Sequence, residues 1–180
     1  MEYFNLNKQK VSALAKTLAK SLSKGDIVLL YGELGSGKTF FVNKVCKYKN
    51  VKSIVNSPSY VLLNEYECEP QHISPRIHGT PHTSLRIHGT PHISPHIHGG
   101  RKGGGILSHP YELLTIYHYD LYRLSSADEA IELGILERID EGITFIEWPE
   151  LIEDFIPKKR IEIFFEHNGL YRNIRLEVKQ

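Results

Sequence analysis

Apolar residues recur along this chain with two periods, and each change of period marks an element. Val11, Leu14, Ala15, Leu18, Ala19 and Leu22 fall at helical spacing. They predict an amphipathic first helix ending near Lys24-Gly25. A continuous apolar run, DIVLLY (Asp26–Tyr31), predicts a buried strand, and a helix is expected from about Lys38 to Tyr48. YVLLNEY (Tyr60–Tyr66), introduced by Ser57-Pro58, predicts a short strand. LLTIYHYDLYRL (Leu113–Leu124), rich in β-formers, predicts a longer one. Ser126 and Glu129 have capping-box spacing, so a helix is expected from Ala127 to about Gly134. GITFIEW (Gly142–Trp148) reads as another buried strand. The C-terminal stretch RIEIFFEHNGLYRNIRLEV alternates on both sides of Asn168-Gly169, a strong hairpin signal. Strands alternating with helices, then a hairpin, predict an α/β fold. Its sheet should be mixed and mainly parallel, flanked by helices, with antiparallel strands at one side.

The turn between the first buried strand and the following helix carries the most specific chemistry. Gly32–Thr39 read GELGSGKT, the G-x-x-x-x-G-K-[ST] pattern of a phosphate-binding P-loop in the strand-then-helix context the motif requires. Glycines let the backbone fold tightly, so that successive N–H groups point inward at phosphate oxygens. The helix adds its positive N-terminal end. Gly32, Leu34, Gly35, Ser36, Gly37, Lys38 and Thr39 are therefore the candidate phosphate-binding residues. Lys38 is placed to reach the β- and γ-phosphates, and the Thr39 hydroxyl to join Mg²⁺. The pattern predicts a P-loop NTPase-like three-layer fold that binds a nucleoside triphosphate.

Composition narrows the setting. With 180 residues the chain has room for one α/β domain and its core. A net charge of +1 gives no strong field toward nucleic acid or an anionic membrane. No stretch has the length of a membrane-spanning helix, and the N-terminus lacks the apolar centre of a signal peptide. Cys46 and Cys68 lack metal-ligand or redox spacing, which suits a reducing compartment and ordinary packing roles. The expected setting is a soluble, cytoplasmic protein.

One segment breaks the pattern. From His72 to about Arg101 the sequence repeats with a ten-residue period: HISPRIHGTP, HTSLRIHGTP, HISPHIHGGR. Glycine, proline, serine and histidine dominate, and apolar residues are too sparse to close a core. Four positive charges and no acid lie between Pro70 and Tyr111, which leaves the remainder slightly acidic. Seven histidines between His72 and His98 raise metal binding, since imidazole is a common ligand. A repeat without cysteine or carboxylate offers only weak, unspecific chelation. The segment reads as a repeat-derived insertion at about 69–108 in a single P-loop domain spanning 1–180, and it resembles the in-frame palindromic repeat elements of some bacterial genomes. Loops lengthen at low thermodynamic cost.

A P-loop needs a carboxylate to help hold Mg²⁺ and a group to position water. Glu147 closes the apolar strand ITFIE, and Asp120 sits in YHYDLYRL among tyrosines, leucines and isoleucine. The competing structural roles are an Asp120–Arg123 pair and a Glu147 cap on the turn at Pro149. Trp148, the single tryptophan, adjoins the acid and can stack on a base, on a partner or in the core. Ser57, Ser59 and Tyr60 (NSPSY) form a hydroxyl-rich turn where loops that sense a γ-phosphate often lie.

YGELGSGKT, SPSYVLLNEY, YHYDLYRL and FIEWPE, in this order, resemble the TsaE (YjeE) family of small bacterial ATPases of tRNA threonylcarbamoyladenosine biosynthesis. The resemblance covers nearly the whole chain apart from the His-rich insertion. It implies a P-loop fold with a mixed sheet and weak ATPase activity expressed with the partners TsaB and TsaD. Those partners place a threonylcarbamoyl group on adenosine 37 of tRNAs that read codons beginning with A. TsaE itself is not held to transfer the group; its ATP cycle supports turnover of the complex.

By that resemblance Leu34 to Thr39 bind the ATP phosphates, and Thr39 and Glu147 hold Mg²⁺. Asp120 assists the metal or the attacking water, and Lys38, Asp120 and Glu147 form the catalytic set. Trp148 matters beside Glu147, and Ser57–Tyr60 correspond to a switch-like loop with Ser59 in the nucleotide site. The family usually has SPT where this chain has SPS; Ser59 keeps the hydroxyl and loses a methyl. The larger departure is the insertion: folded across the cleft or partner face it impairs activity, and looped away from the sheet edge it changes nothing. The rival enzyme, a small-molecule or nucleoside kinase, needs a second substrate pocket and an arginine-bearing lid, and the repeat makes a poor lid. A rival of another class is a nucleotide-dependent regulatory module without useful hydrolysis. Direct tRNA binding is disfavoured, because no basic stripe with interleaved aromatics is present.

Overall fold

Strand β2 (Ile27–Tyr31) is buried along almost its whole length, because helices cover both faces of the sheet at its centre. The structure is a computed structural model that describes residues 1–69 and 113–180. The repeat segment, its histidines and all but the first residue of the expected insertion lie outside the described residues. Around β2 run β1 (Glu2–Leu6), α1 (Lys8–Ser21), α2 (Lys38–Tyr48), β3 (Leu63–Glu67) and β4 (Thr115–Asp120). Then follow α3 (Ala127–Glu132), α4 (Ile135–Arg138), β5 (Ile143–Glu147), two single turns of 3₁₀ helix, β6 (Arg160–Asn168) and β7 (Tyr171–Lys179).

The seven strands form one sheet in the order β1-β7-β6-β2-β5-β4-β3. β4, β5, β2 and β6 are mutually parallel, as an α/β fold with helical crossovers requires. β3 joins β4 antiparallel, and β7 joins β6 and β1 antiparallel. The mixed sheet and its C-terminal hairpin agree with the sequence reading. Antiparallel strands, however, lie at both edges rather than at one. The end of β3 and the start of β4 face each other at Glu67↔Thr115, the stem of a hairpin rather than a crossover.

Alternation along β2 divides the core. Val28 and Leu30 face α1 and α2, packing with Val11, Ala15, Phe41 and Val45. Ile27 and Leu29 face the other way, toward Ala130, Ile135 and Ile139 of the α3–α4 region. Cys46 and Cys68 are free and buried. Burial pushes their thiols up, to about 12 and about 11. Among the described residues no helix is long and apolar enough to cross a membrane.

Several boundaries differ from the sequence reading. α1 begins at Lys8, where Asn7 accepts the Lys10 N–H at 2.9 Å, and ends at Ser21 rather than near Lys24. The strand expected at Tyr60–Tyr66 starts only at Leu63, since residues 59–61 turn and Leu62 has a positive φ of 66°. The strand expected to reach Leu124 ends at Asp120. Ser126 caps α3 through the Glu129 N–H, but Gly134 in the left-handed region breaks the helix and starts α4. The hairpin turn is displaced by one residue: Asn168 pairs with Tyr171, leaving Gly169 and Leu170 as the two-residue loop. Gly169 (φ 56°) then holds the first central position, where a II′ turn calls for glycine.

Candidate functional site

The loop after β2 keeps its shape through glycine. Gly32 has φ 134°, and a Cβ there would stand 2.3 Å from the Phe165 carbonyl oxygen of β6. Gly37 (φ 108°) starts α2 with no side chain capping it. The first N–H groups of α2 are therefore free of a side-chain acceptor and face the loop, the arrangement that receives anions. Leu34 is exposed at the loop tip, and Ser36 is buried.

Lys38 folds back over this loop. Its Nζ donates to the carbonyl oxygens of Gly32 at 2.5 Å and Glu33 at 3.1 Å, and stands 4.1 Å from the centre of the Trp148 ring. Burial pulls its pKa below the ordinary lysine value, and the charges of Glu147, Asp120 and Glu150 oppose that pull. Its hydrogen-bond acceptors are neutral carbonyls, so an incoming anion would offer it a charged partner in direct contact.

Sheet register brings the two acids to the loop. Glu147 ends β5 opposite Leu30 of β2, and Asp120 ends β4 opposite Glu147. Both carboxylates are almost wholly buried. Thr39 donates its hydroxyl to Glu147 Oε1 at 2.8 Å. Asp120 Oδ2 accepts from the Ser59 hydroxyl in a short bond and from Ser57 Oγ at 3.3 Å, while Oδ1 accepts the Tyr122 N–H at 3.1 Å. Arg123 lies over the Tyr60 ring at 4.3 Å rather than on Asp120. Glu147 turns to Thr39 rather than to Pro149. Trp148 adopts a left-handed φ of 58°, ties its N–H to the Leu30 carbonyl at 3.2 Å, and sets its ring against Tyr122 at 4.9 Å. Lys38, Thr39, Ser59, Asp120, Glu147 and Trp148 are thereby gathered at one end of the sheet.

Two residues of this neighbourhood escaped the sequence reading. His118, wholly buried on β4, places Nε2 2.9 Å from Glu147 Oε1, while its Nδ1 has no hydrogen-bond partner. The signal was a polar residue two positions before Asp120, hence on the same strand face, in an otherwise apolar strand. Arg172 of β7 donates Nε to the Ser36 carbonyl at 2.7 Å and a terminal nitrogen to the Gly35 carbonyl at 3.3 Å. Nothing in the local sequence marks Arg172, because its partners are more than 130 residues away.

No group of three or more His, Cys, Asp or Glu side chains able to hold a metal ion occurs among the described residues. The site is therefore not a closed protein cage. A hydroxyl and carboxylates around a phosphate loop still match a hard, strongly hydrated cation, which takes one or two carboxylates and leaves its other positions to phosphate and water. The donor set fits Mg²⁺.

A parallel core with a glycine-rich loop between strand and helix, faced by an acid from the neighbouring strand, defines a P-loop NTPase-like protein. The chain belongs to the TsaE family: the model of the family described as "Threonylcarbamoyl adenosine biosynthesis protein TsaE" matches residues 6–79 and 106–174. A Rickettsia conorii protein named "tRNA threonylcarbamoyladenosine biosynthesis protein TsaE" is 33% identical over 173 residues, which is 94% of this chain and 72% of that one. A Bacillus subtilis protein of the same name is 26% identical over 170 residues, 94% of this chain and 79% of its own. Among solved structures, B. subtilis YdiB shares the fold with a TM-score of 0.63 at 21% identity, over 100% of this chain and 86% of that one.

Proposed function

We propose that this chain is a slow, Mg²⁺-dependent ATPase. It acts with TsaB and TsaD in the cytoplasm to support threonylcarbamoylation of adenosine 37 in tRNAs reading codons that begin with A. On this reading it is a single P-loop domain interrupted at about 69–108 by the His/Gly/Pro-rich repeat insertion, and tRNA meets it through the complex. The observation that carries the proposal is the meeting of the P-loop Thr39, Glu147 and Asp120 across β2, β5 and β4.

The chain's residues divide the work. Amides of Leu34–Thr39 hold the phosphates, and Lys38 exchanges the carbonyls of Gly32 and Glu33 for phosphate oxygens, gaining a charged partner in place of neutral ones. Thr39 and Glu147 would hold Mg²⁺, with Asp120 beside them; the cation supplies charge neutralisation on the phosphates. Asp120 is the candidate acceptor for the water proton. Its bonds to Ser57 and Ser59 connect that role to residues 57–62, which can register the phosphate end of the nucleotide.

ATP turnover by the purified chain, alone and with TsaB and TsaD, tests this reading. Lys38→Ala should abolish binding, and Glu147→Gln should keep ATP while turnover falls about 100-fold or more. Wild-type binding by the first variant or a wild-type rate in the second would overturn it.

A further inference from the structure

Among the described residues the Glu147 carboxylate has two side-chain partners, and they come from different parts of the fold. The Thr39 hydroxyl donates to Oε1 at 2.8 Å, and His118 Nε2 lies 2.9 Å from the same oxygen. Thr39 belongs to the phosphate loop, and on the proposed reading its own oxygen turns to the cation when nucleotide is bound. His118 belongs to β4, which is paired to β5 along its length, and its side chain is wholly buried. Packing alone gives no reason for a polar ring there. Its cross-strand neighbour is Phe145, and Ile116 precedes it on the same strand face. Nδ1 has no hydrogen-bond partner, a penalty that an apolar side chain in this place would not carry. An ionised carboxylate only accepts, so the ring proton sits on Nε2 and Nδ1 keeps its lone pair.

We infer that His118 is a positioning residue for Glu147: it pins Oε1 from within the sheet, so that the carboxylate keeps one orientation toward the loop. The inference rests on the reading of Glu147 as a site carboxylate and names what holds it there. Two separate sets then position the two acids. Asp120 is tied to Ser57 and Ser59, outside the sheet, and Glu147 is tied to the neighbouring strand. His118 and Asp120 share one face of β4, two residues apart, so a single strand carries the second acid and the anchor of the first. Misplacing a reacting group by about 1 Å can cost about 100-fold in rate. The anchor therefore matters most when charge shifts on the transferred phosphoryl group, and little for holding the nucleotide beforehand.

Capture of ADP with aluminium fluoride and Mg²⁺, with TsaB and TsaD present, tests this against ADP alone. The fluoride complex imitates the phosphoryl group in transfer, and ADP does not. His118→Leu fills the core without a donor, His118→Gln returns an N–H, and His118→Ala does neither. His118→Ala and His118→Leu should weaken capture of the fluoride complex about 10- to 100-fold and leave ADP affinity within about twofold, with partial recovery in His118→Gln. If His118→Ala fails to fold, the other two variants still decide the matter. Capture at the wild-type level by His118→Leu, no recovery in His118→Gln, or equal losses for both ligands would overturn the inference. Glu147→Gln separates it from the reading beneath. Wild-type capture by Glu147→Gln removes that acid from the site and this inference with it, whereas a loss confined to Glu147→Gln overturns only the role of His118. A wild-type chain that captures neither ligand sinks the nucleotide reading and this inference together.

Discussion

Replacing Gly32 by alanine perturbs a point where the phosphate loop runs close against the backbone of β6. The added Cβ would lie 2.3 Å from the Phe165 carbonyl oxygen, well inside the 3.0 Å that real Cβ contacts respect. That oxygen belongs to β6, the parallel neighbour of β2, so relief requires the two strands to part or the loop to lift. The φ of 134° is a second cost for an L-residue, about 1–3 kcal/mol. Alanine also stiffens the unfolded chain, which offsets roughly 0.4–1 kcal/mol. Strain and clash together should cost about 3 kcal/mol or more, a drop of roughly 6–12 °C in a domain of this size. Gly35 provides the internal control. It too has a positive φ, 78°, but a Cβ there meets nothing within 4 Å. Gly35→Ala should therefore cost only about 1 kcal/mol net. Urea unfolding followed by the circular dichroism of the helices reads both values. Gly32→Ala should also bind tripolyphosphate less well, because relief of the clash lifts the loop from β6 and moves the amides that would receive the phosphates. If the two variants prove equally stable, the close approach to β6 does not constrain the loop and the reasoning fails.

Arg172→Ala removes two bonds to loop carbonyls. Affinity for tripolyphosphate and for ATP should both fall about tenfold; unchanged binding in a titration calorimeter would show that the arginine is ornamental to the loop. His118→Ala leaves the Thr39–Glu147 bond but removes the second partner of the same carboxylate oxygen, Oε1. The turnover number should drop about 10- to 100-fold with KM for ATP nearly unchanged, and His118→Gln should restore part of it. A rise in KM alone, or no recovery with glutamine, would mean that His118 only fills the core.

The sequence was most legible where one physical signal dominates. The P-loop requires glycine at left-handed positions, and the predicted helix from Lys38 to Tyr48 has those limits in the structure. Glu147 and Asp120 were marked by charge inside apolar strands, and register then placed them opposite one another. β1 was missed because its residues EYFNL show no alternation: Leu6 alone is buried, and the pairing with β7 slips between Tyr3 and Leu6. An edge strand held mainly by backbone bonds leaves little trace in side-chain pattern. Arg172 was illegible for another reason, since its value lies in carbonyls contributed by a distant loop. The short α4 depended on the local competition around Gly134, which periodicity over so few residues cannot resolve.

The stem formed by β3 and β4 has a consequence for how this chain can change length. Glu67 faces Thr115, and the Cys68 N–H donates to the Leu114 carbonyl at 2.8 Å, so the backbone leaves and rejoins the sheet at neighbouring points. Those points lie at the opposite end of β4 from Asp120, five residues and about 17 Å away along the strand. Additional chain inserted there enters and leaves at that end, and each doubling of its length costs only about 0.6 kcal/mol in closure entropy. For a protein engineer the stem is a docking port: the two points where a reporter, a tag or an affinity handle would be joined lie at the end of β4 away from Asp120.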